Sequence, residues 1–154
     1  MTAVTVTVHA SAVLVGARAV LIRGPSGAGK SRLAFELLDA ARDGRLHFAR
    51  LVGDDRIHLE SANGRLLVRP ARSLAGLIEL RGVGILRRDY EPCAVVGLVV
   101  DLDAADAERL PDRQTIQLDG TEVPRLAVAS GTAVLPAVLA LITSTETAIR
   151  QQTY

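Results

Sequence analysis

Residues 24–31 of the chain read Gly24-Pro25-Ser26-Gly27-Ala28-Gly29-Lys30-Ser31, and this stretch decides the fold. It matches the pattern G-x-x-x-x-G-K-[ST] at every fixed position. Glycines there let consecutive backbone N–H groups converge on phosphate oxygens at a helix N-terminus, where the helix dipole also favours anions. The stretch therefore predicts a P-loop (Walker A motif) that binds a nucleoside triphosphate. Lys30 is expected to contact the β and γ phosphates, and the Ser31 hydroxyl is expected to be a ligand of Mg²⁺.

The residues on either side of this stretch have the pattern of a strand and a helix. Residues 18–22 form a short apolar run before Gly24, and from 31 to about 42 apolar residues recur at helical spacing. Lys30 is also the only lysine in the chain, and the other basic residues are all arginines. The alternative, a glycine-rich turn that caps an ordinary helix, does not explain why the one ammonium group stands at this position.

The remainder of the chain predicts strands, turns and a final helix in a single domain, residues 1–154. Hairpin turns are expected at Asn63-Gly64 and Asp119-Gly120, and Gly82-Val83-Gly84 is expected to be a flexible link after an extended piece at 78–80. Residues 132–150 predict a C-terminal helix with Thr132 as its N-cap. The other expected strands are 4–8, 12–15, 48–52, 56–60, 65–69, 94–100, 115–118 and 122–126.

The composition argues against several classes of function. A net charge of +1 gives no electrostatic case for a nucleic-acid or membrane partner, and 3% aromatic residues do not favour stacking on nucleobases. The charge-free apolar stretches are shorter than the roughly 20 residues that span a bilayer. Cys93 is the only cysteine, so an intrachain disulfide is excluded and a cytoplasmic location is expected.

Two adjacent carboxylates, Asp54 and Asp55, follow the predicted strand at 48–52. This is the placement of a Walker B carboxylate, which holds Mg²⁺ opposite the P-loop hydroxyl. Two acids allow two tasks, because one can bind the metal or its water shell while the other accepts the proton of an attacking hydroxyl. A Gly-Asp-Asp turn between two strands is the structural alternative.

Glu79 and Arg81 are two residues apart, so they point to the same face of an extended strand. An acid and an arginine aligned in this way can bind metal and phosphate, whereas a solvated ion pair on an edge strand is the alternative. His9 has no local feature that marks it as functional, and a structural role is the ordinary expectation for a lone histidine.

Taken together and in this order, the motifs resemble the catalytic domain of HPr kinase/phosphorylase. The likeness rests on His9-Ala10-Ser11, on the P-loop, on Leu51-Val52-Gly53-Asp54-Asp55, and on Ile78-Glu79-Leu80-Arg81-Gly82-Val83-Gly84-Ile85. It covers about residues 6 to 128. The last segment is the most specific, because E-x-R-G-x-G-I is similar to a signature of that family rather than to P-loop proteins in general.

The resemblance implies a set of site residues and a fold. Asp54 is implied to be the base that takes the serine proton, and Asp55 is implied to be its companion in the metal shell. The other implied catalytic residues are His9, Lys30, Arg81 and Arg109, and the other implied metal ligands are Ser31 and Glu79. The implied fold is α/β with a mixed central sheet, similar to the P-loop core of phosphoenolpyruvate carboxykinase, in a chain that assembles into hexamers.

The implied reaction is the Mg²⁺-dependent transfer of the γ-phosphoryl group of ATP to a serine of the phosphocarrier HPr or a nitrogen-related homologue. Two departures qualify this. The chain starts almost at His9, so it resembles a short form without the separate N-terminal domain. Residues 127–133 read Ala-Val-Ala-Ser-Gly-Thr-Ala, where the family has a basic segment linked to dephosphorylation by inorganic phosphate. Phosphorylase activity is therefore in doubt.

Two other functions are compatible with a P-loop. A small-molecule kinase of the nucleotide-kinase type usually needs an arginine-rich lid and a base-binding pocket, and the segment at 78–85 argues against it. A non-enzymatic nucleotide-binding regulator would not need two adjacent acids at 54 and 55, although this argument is weaker.

Overall fold

The computed structural model describes residues 5–151 of the chain, and their side chains as far as residue 143. Strands alternate with two helices, α1 at Lys30–Arg42 and α2 at Val134–Gln151. The strands are β1 (Thr5–Val8), β2 (Ser11–Val15), β3 (Arg18–Arg23), β4 (Ala49–Gly53), β5 (Ile57–Ala62), β6 (Arg65–Pro70), β7 (Leu77–Leu80), β8 (Gly84–Arg87), β9 (Ala94–Asp101), β10 (Gln114–Leu118) and β11 (Thr121–Ala127). A short 3₁₀ turn, Arg72–Leu74, precedes β7.

Nine of these strands form one mixed sheet, in which the order of the main path is β1-β5-β6-β9-β3-β2-β4. Strand β3 runs parallel to β9, and β11 runs parallel to the carboxyl end of β9. The remaining pairs are antiparallel, and β7 and β8 form a separate two-stranded hairpin. The α/β class and the mixed sheet that the family resemblance implied are confirmed.

The sheet buries apolar side chains on both of its faces. On one face, Val20 packs in the same cluster as Leu33 and Leu37 of α1. On the other face, Leu21 belongs to a second cluster that includes Leu66 of β6. Burial on both faces explains why β3 and β9 read as continuous apolar runs rather than as alternating ones. Neither helix in the described part of the chain combines the length and the apolar character needed to cross a membrane.

The turn between β3 and α1, called here the 24–31 loop, depends on glycine at its two ends. Gly29 is the N-cap of α1 with φ 97°, in the left-handed region that residues with a side chain rarely adopt. A Cβ on Gly24 would lie 3.0 Å from the Cβ of Leu102 and 3.2 Å from its carbonyl oxygen. The Leu102 amide also donates to the Arg23 carbonyl at 2.8 Å. The start of the loop is therefore fixed against the end of β9.

Strand β4 lies at the edge of the sheet and is irregular where it pairs with β2. Ala12 is opposite Gly53, but Val13 is opposite Leu51, so Val52 is an additional residue on β4. This is the pattern of a β-bulge. The outer side of β4 is partly covered, because Tyr90 forms a parallel bridge with Leu51 and the Glu91 amide donates to the Leu51 carbonyl at 2.8 Å.

Both predicted hairpin turns are confirmed, and each has positive φ at both central residues, as the favoured two-residue turn requires. The flexible link predicted at residues 82–84 is wrong, because the Val83 amide donates to the Leu80 carbonyl at 3.0 Å and the chain turns directly into β8. Helix α2 begins at Val134, so Thr132, the expected N-cap, lies two residues before the first helical residue. The start of β1 predicted at Val4 lies outside the described residues.

Candidate active site

A cavity of about 1390 Å³ opens between the 24–31 loop, the end of β4, the β7–β8 hairpin and the start of α2. It brings together most of the residues that the sequence singled out. Those on its wall are His9, Gly24, Ser26, Gly27, Ala28, Gly29, Lys30, Ser31, Asp54, Asp55, Glu79 and Arg81. Residues that are far apart in the sequence therefore line one site.

Pro25 and Arg109 are not on this wall. Pro25 is exposed, and its carbonyl accepts hydrogen bonds from the Lys30 ammonium at 3.1 Å and from the Ala28 amide at 3.1 Å. Arg109 is exposed on the segment between β9 and β10. The structure thus does not bring Arg109 together with the other predicted site residues.

The buried carboxylate of Asp54, only 3% exposed, is the centre of the site. The Ser31 hydroxyl donates to its Oδ1 at 2.8 Å or its Oδ2 at 2.9 Å. The Ser11 hydroxyl donates to Oδ1 at 2.5 Å, and the backbone amide of Glu79 donates to Oδ2 at 3.2 Å. Burial of a carboxylate is tolerated only when its oxygens are satisfied, and here three separate elements supply the donors.

The partners of Asp54 are all electrically neutral. No ion pair of Asp54 with a lysine, arginine or histidine occurs among the residues that the structure describes. A buried carboxylate that faces a cavity and has no cationic partner of its own fits the requirements of a divalent cation. Within the same described residues, no three His, Cys, Asp or Glu side chains are close enough to hold a metal by themselves. A metal here would need further oxygen ligands from a substrate or water.

Asp55 differs from its neighbour in both conformation and exposure. It has φ 67°, which is uncommon for a residue with a side chain, and it is exposed at the cavity wall. The turn is closed by the Arg56 amide, which donates to the Asp54 carbonyl at 2.7 Å. The contact with the Ser31 hydroxyl, which the sequence interpretation associated with a metal-binding acid, is made by Asp54. The separate tasks assigned to Asp54 and Asp55 stay predictions.

The Lys30 ammonium is held by the loop itself. It donates to the Gly24 carbonyl at 2.9 Å as well as to the Pro25 carbonyl. These bonds fold the side chain back along the loop and keep its charge at the cavity. The arrangement suits an anion, because the ammonium and the N-terminus of α1 face the same space.

Glu79 and Arg81 are both exposed on the β7–β8 hairpin at the cavity wall. The ion pair between them that was one alternative does not occur in the described part of the chain. The Arg81 Nη2 atom is 3.9 Å from the position that a Cβ on Gly27 would occupy. The guanidinium therefore reaches the 24–31 loop. His9 is also exposed at the wall, between β1 and β2.

Sequence reasoning missed two parts of the site. One is Ser11, which was named only as part of the motif His9-Ala10-Ser11 and was given no role, although its hydroxyl contacts Asp54. The other is the segment 132–136, which leads into α2 and forms its first residues, on one side of the cavity. The contact of Ser11 depends on strand pairing and the position of α2 on tertiary packing, so no local signal in the sequence could have indicated either.

A network of ion pairs lies at the carboxyl ends of β3, β9 and β11. Arg23, the residue before the 24–31 loop, donates two hydrogen bonds to Asp101, at 2.7 and 2.8 Å. Arg125 donates to the same carboxylate at 2.5 Å, and also to Asp106 and Gln114. Burial alone would raise the pKa of the Asp101 carboxyl, but the hydrogen bonds and charges of both arginines lower it below its ordinary value. The network ties the loop to its neighbouring strands.

Comparison with known proteins identifies relatives over nearly the whole chain. The family model described as HPr Serine kinase C-terminal domain matches residues 1–152. The HPr kinase/phosphorylase of Streptococcus thermophilus is 34% identical over 135 residues, which is 79% of this chain and 41% of that protein. The HPr kinase/phosphorylase of Geobacillus kaustophilus is 34% identical over 137 residues, 80% of this chain and 42% of that protein. The chain thus spans about two fifths of the length of these relatives.

A solved structure has the same fold. The HPr(Ser) kinase/phosphatase from Coxiella burnetii superposes with a TM-score of 0.75 at 23% identity, covering 94% of this chain and 98% of that one. At this identity the likeness concerns the fold alone.

The network at Asp101 predicts a dependence of stability on pH. The pKa of this carboxyl is 3.8 when unperturbed and lower in the folded protein, so its stabilising effect is complete above pH 3.8 and is lost as the pH falls through the folded value. We expect Asp101→Asn to lower the free energy of unfolding at pH 7 by about 2 to 3 kcal/mol, because two arginines lose their charged partner. Urea unfolding at pH 7, 5 and 3 should show this difference shrinking at pH 3.

The matched control is Asp106→Asn, which removes an exposed partner of Arg125 and should change stability much less at every pH. A difference between wild type and Asp101→Asn that stays constant from pH 7 to pH 3 would contradict the assignment of the charge to Asp101.

Proposed function

Because the chain belongs to the family of HPr serine kinase C-terminal domains, we propose that it is an ATP- and Mg²⁺-dependent protein kinase. Its acceptor would be a serine of the phosphocarrier HPr or of a nitrogen-related homologue. One observation carries the proposal: the buried carboxylate of Asp54 accepts a hydrogen bond from Ser31, the last residue of the G-x-x-x-x-G-K-S stretch. A nucleotide-binding loop and an acid able to take a proton would thus act at the same point.

The 24–31 loop is proposed to bind the phosphates of ATP. Backbone N–H groups at the N-terminus of α1 would donate to the phosphate oxygens, and Lys30 would exchange its bonds to loop carbonyls for bonds to phosphate. Arg81, beside Gly27, is positioned to add a second positive charge from the opposite side. These groups would orient the γ-phosphoryl group toward Asp54.

The neutral hydrogen-bond partners of Asp54 support a site for Mg²⁺ beside Ser31. The Ser31 hydroxyl oxygen would bind the ion directly, and Asp55 and Glu79 would bind it directly or through water. When bound, Mg²⁺ would offset the negative charge of the phosphates. Asp54 would accept the proton of the incoming serine hydroxyl, which needs deprotonation to become an effective nucleophile.

Hexameric assembly and a cytoplasmic location stay predictions of the family resemblance and the composition. The two rival functions predict different results in one experiment, in which the protein is incubated with ATP labelled in the γ-phosphate, with purified HPr and with a mixture of small metabolites. Label on an HPr serine supports the proposal. Label on a small molecule alone favours a small-molecule kinase, and nucleotide binding without any transfer favours a regulator.

The first prediction from this function concerns Lys30. We expect Lys30→Ala to reduce phosphoryl transfer to HPr by at least about 100-fold, since it removes the positive charge that would stabilise the transferred phosphoryl group. Lys30→Arg should not restore transfer, because a planar guanidinium does not fit a loop closed around a compact ammonium. Arg45→Ala is a suitable control, since Arg45 forms only a surface ion pair with Asp43. Wild-type activity in Lys30→Arg would refute this role.

The second prediction separates proton transfer from nucleotide binding. Asp54→Asn should lower the rate of transfer about 10²- to 10⁴-fold while retaining most of the affinity for Mg-ATP. The amide oxygen can still accept the bond from Ser31 but cannot take a proton at neutral pH. Asp55→Asn and Glu79→Gln should instead raise the Mg²⁺ concentration needed for half-maximal activity.

Transfer rates from labelled ATP and dissociation constants from calorimetry measure the two effects separately, and Asp43→Asn on the surface provides the control. If Asp54→Asn transfers phosphate at the wild-type rate, another group is the base.

The third prediction is that the kinase reaction exceeds phosphorylase activity. An attack of inorganic phosphate on phosphoserine brings two anionic groups together and needs nearby positive charge. Residues 127–133, where the family has a basic segment, contain no cationic side chain, and residues 129–133 are exposed. The nearest arginine before them, Arg125, is occupied by Asp101 and Asp106.

With seryl-phosphorylated HPr and saturating inorganic phosphate, the rate of pyrophosphate release should therefore be at least about 10-fold lower than the rate of HPr phosphorylation by ATP. Ser130→Arg should narrow this gap by supplying the missing charge. Equal rates of the two reactions in the wild-type protein would disprove the prediction.

A further inference from the structure

Ser11 is a fully buried polar residue in direct contact with the proposed base. Its side chain has 0% relative exposure, and its hydroxyl donates to Asp54 Oδ1 at 2.5 Å. It is the first residue of β2, whereas Asp54 follows β4, so the contact joins residues 43 positions apart. A buried hydroxyl bonded to a buried carboxylate is among the stronger hydrogen bonds in proteins.

The bulge in β4 creates this contact. Because Val52 is an additional residue, Ala12 is opposite Gly53, and continuing the antiparallel pairing by one residue brings Ser11 opposite Asp54. If the same sequence paired without a bulge, Ala12 would be opposite Val52 and Ser11 opposite Gly53. Bulges near functional sites commonly redirect a side chain in this way.

The hydrogen bonds to Asp54 differ in whether they would persist during the proposed reaction. In the proposed reaction, the Ser31 oxygen would bind the metal, and its hydrogen bond to Asp54 would be lost. The incoming serine hydroxyl would then use the acceptor position on Asp54 that this bond occupies now. The Ser11 hydroxyl on Oδ1 and the Glu79 amide on Oδ2 have no other assigned task. Each carboxylate oxygen has two acceptor positions, so these two bonds fix the carboxylate plane and leave room for a further proton.

We propose that Ser11 is a positioning residue that holds the Asp54 carboxylate in the orientation needed to accept the proton of the substrate serine. This inference rests on the proposed function for its kinetic consequence, but the orientation itself is a property of the protein without nucleotide. Ser11 binds neither nucleotide nor metal in this proposal. Its loss should therefore slow the transfer step and leave Mg-ATP binding almost unchanged.

The kinetic test uses three substitutions at one position. Ser11→Ala removes the hydroxyl, Ser11→Cys replaces it by a somewhat larger thiol that is only a weak donor, and Ser11→Thr keeps the hydroxyl. We expect Ser11→Ala and Ser11→Cys to reduce kcat for HPr phosphorylation about 10- to 100-fold, the range for a lost bond to a charged group. The KM for Mg-ATP and its dissociation constant should stay within about twofold. Ser11→Thr should retain most of the wild-type kcat.

Val13→Ala is the matched control, because Val13 is fully buried two residues along the same strand and contacts the core instead of Asp54. It should lower the free energy of unfolding without lowering kcat. Equal kcat values for Ser11→Ala and wild type, or a loss of kcat in Val13→Ala as large as in Ser11→Ala, would overturn the proposal.

A second measurement is independent of the reaction. In protein labelled with ¹³C at the aspartate carboxyl carbons, the Asp54 resonance is identified by its absence from Asp54→Asn. It should move in Ser11→Ala and Ser11→Cys and stay in place in Val13→Ala. A resonance that moves in a protein without any kinase activity would refute the proposed function and support the positioning role, and an unchanged resonance would refute the positioning role itself.

Discussion

The hydrogen bonds that converge on Asp54 are the constraint on which the site depends. One carboxylate accepts donors from β2, from the first turn of α1 and from the backbone of β7, and it follows directly after β4. A carboxylate with so little exposure is stabilised by each of these donors, which replace the water it has lost. The elements that carry them are consequently held at fixed distances, and the cavity wall that includes Lys30 and Arg81 is built around this point.

The features that the sequence predicted correctly are those with a local physical cause. The strand, glycine turn and helix around Lys30 follow from positive φ and helical periodicity, and Asn-Gly and Asp-Gly pairs specify their hairpins within two residues. Strand β8 was missed because two glycines around Val83 are equally compatible with a mobile link and a tight turn. Only the packing of Ile78 and Leu86 on the core distinguishes the two.

The same holds for the site, whose residues were predicted where they belong to a local motif and were missed where their contact depends on the fold. Ser31 and Asp54 were found because they belong to short motifs of neighbouring residues. The role of Ser11 instead depends on the register between two strands that lie some forty positions apart in the sequence. Arg109 was selected by resemblance alone, in a segment without regular structure, and it is exposed away from the cavity. Likeness to a family places residues along a sequence, while distances between side chains depend on the fold.

The additional residue in β4 has a consequence beyond the orientation of one carboxylate. A terminal strand presents unpaired backbone groups that can recruit a strand from another molecule, and such edges promote aggregation unless they are interrupted. Here the bulge at Val52 distorts the ladder, and the segment at residues 90–91 occupies part of the outer side by bonding to Leu51. The same irregularity that faces Asp54 toward Ser11 therefore also makes this border of the sheet a poor template for intermolecular strand pairing. One bulge thus affects both the geometry of the site and the ability of this edge to pair with another molecule.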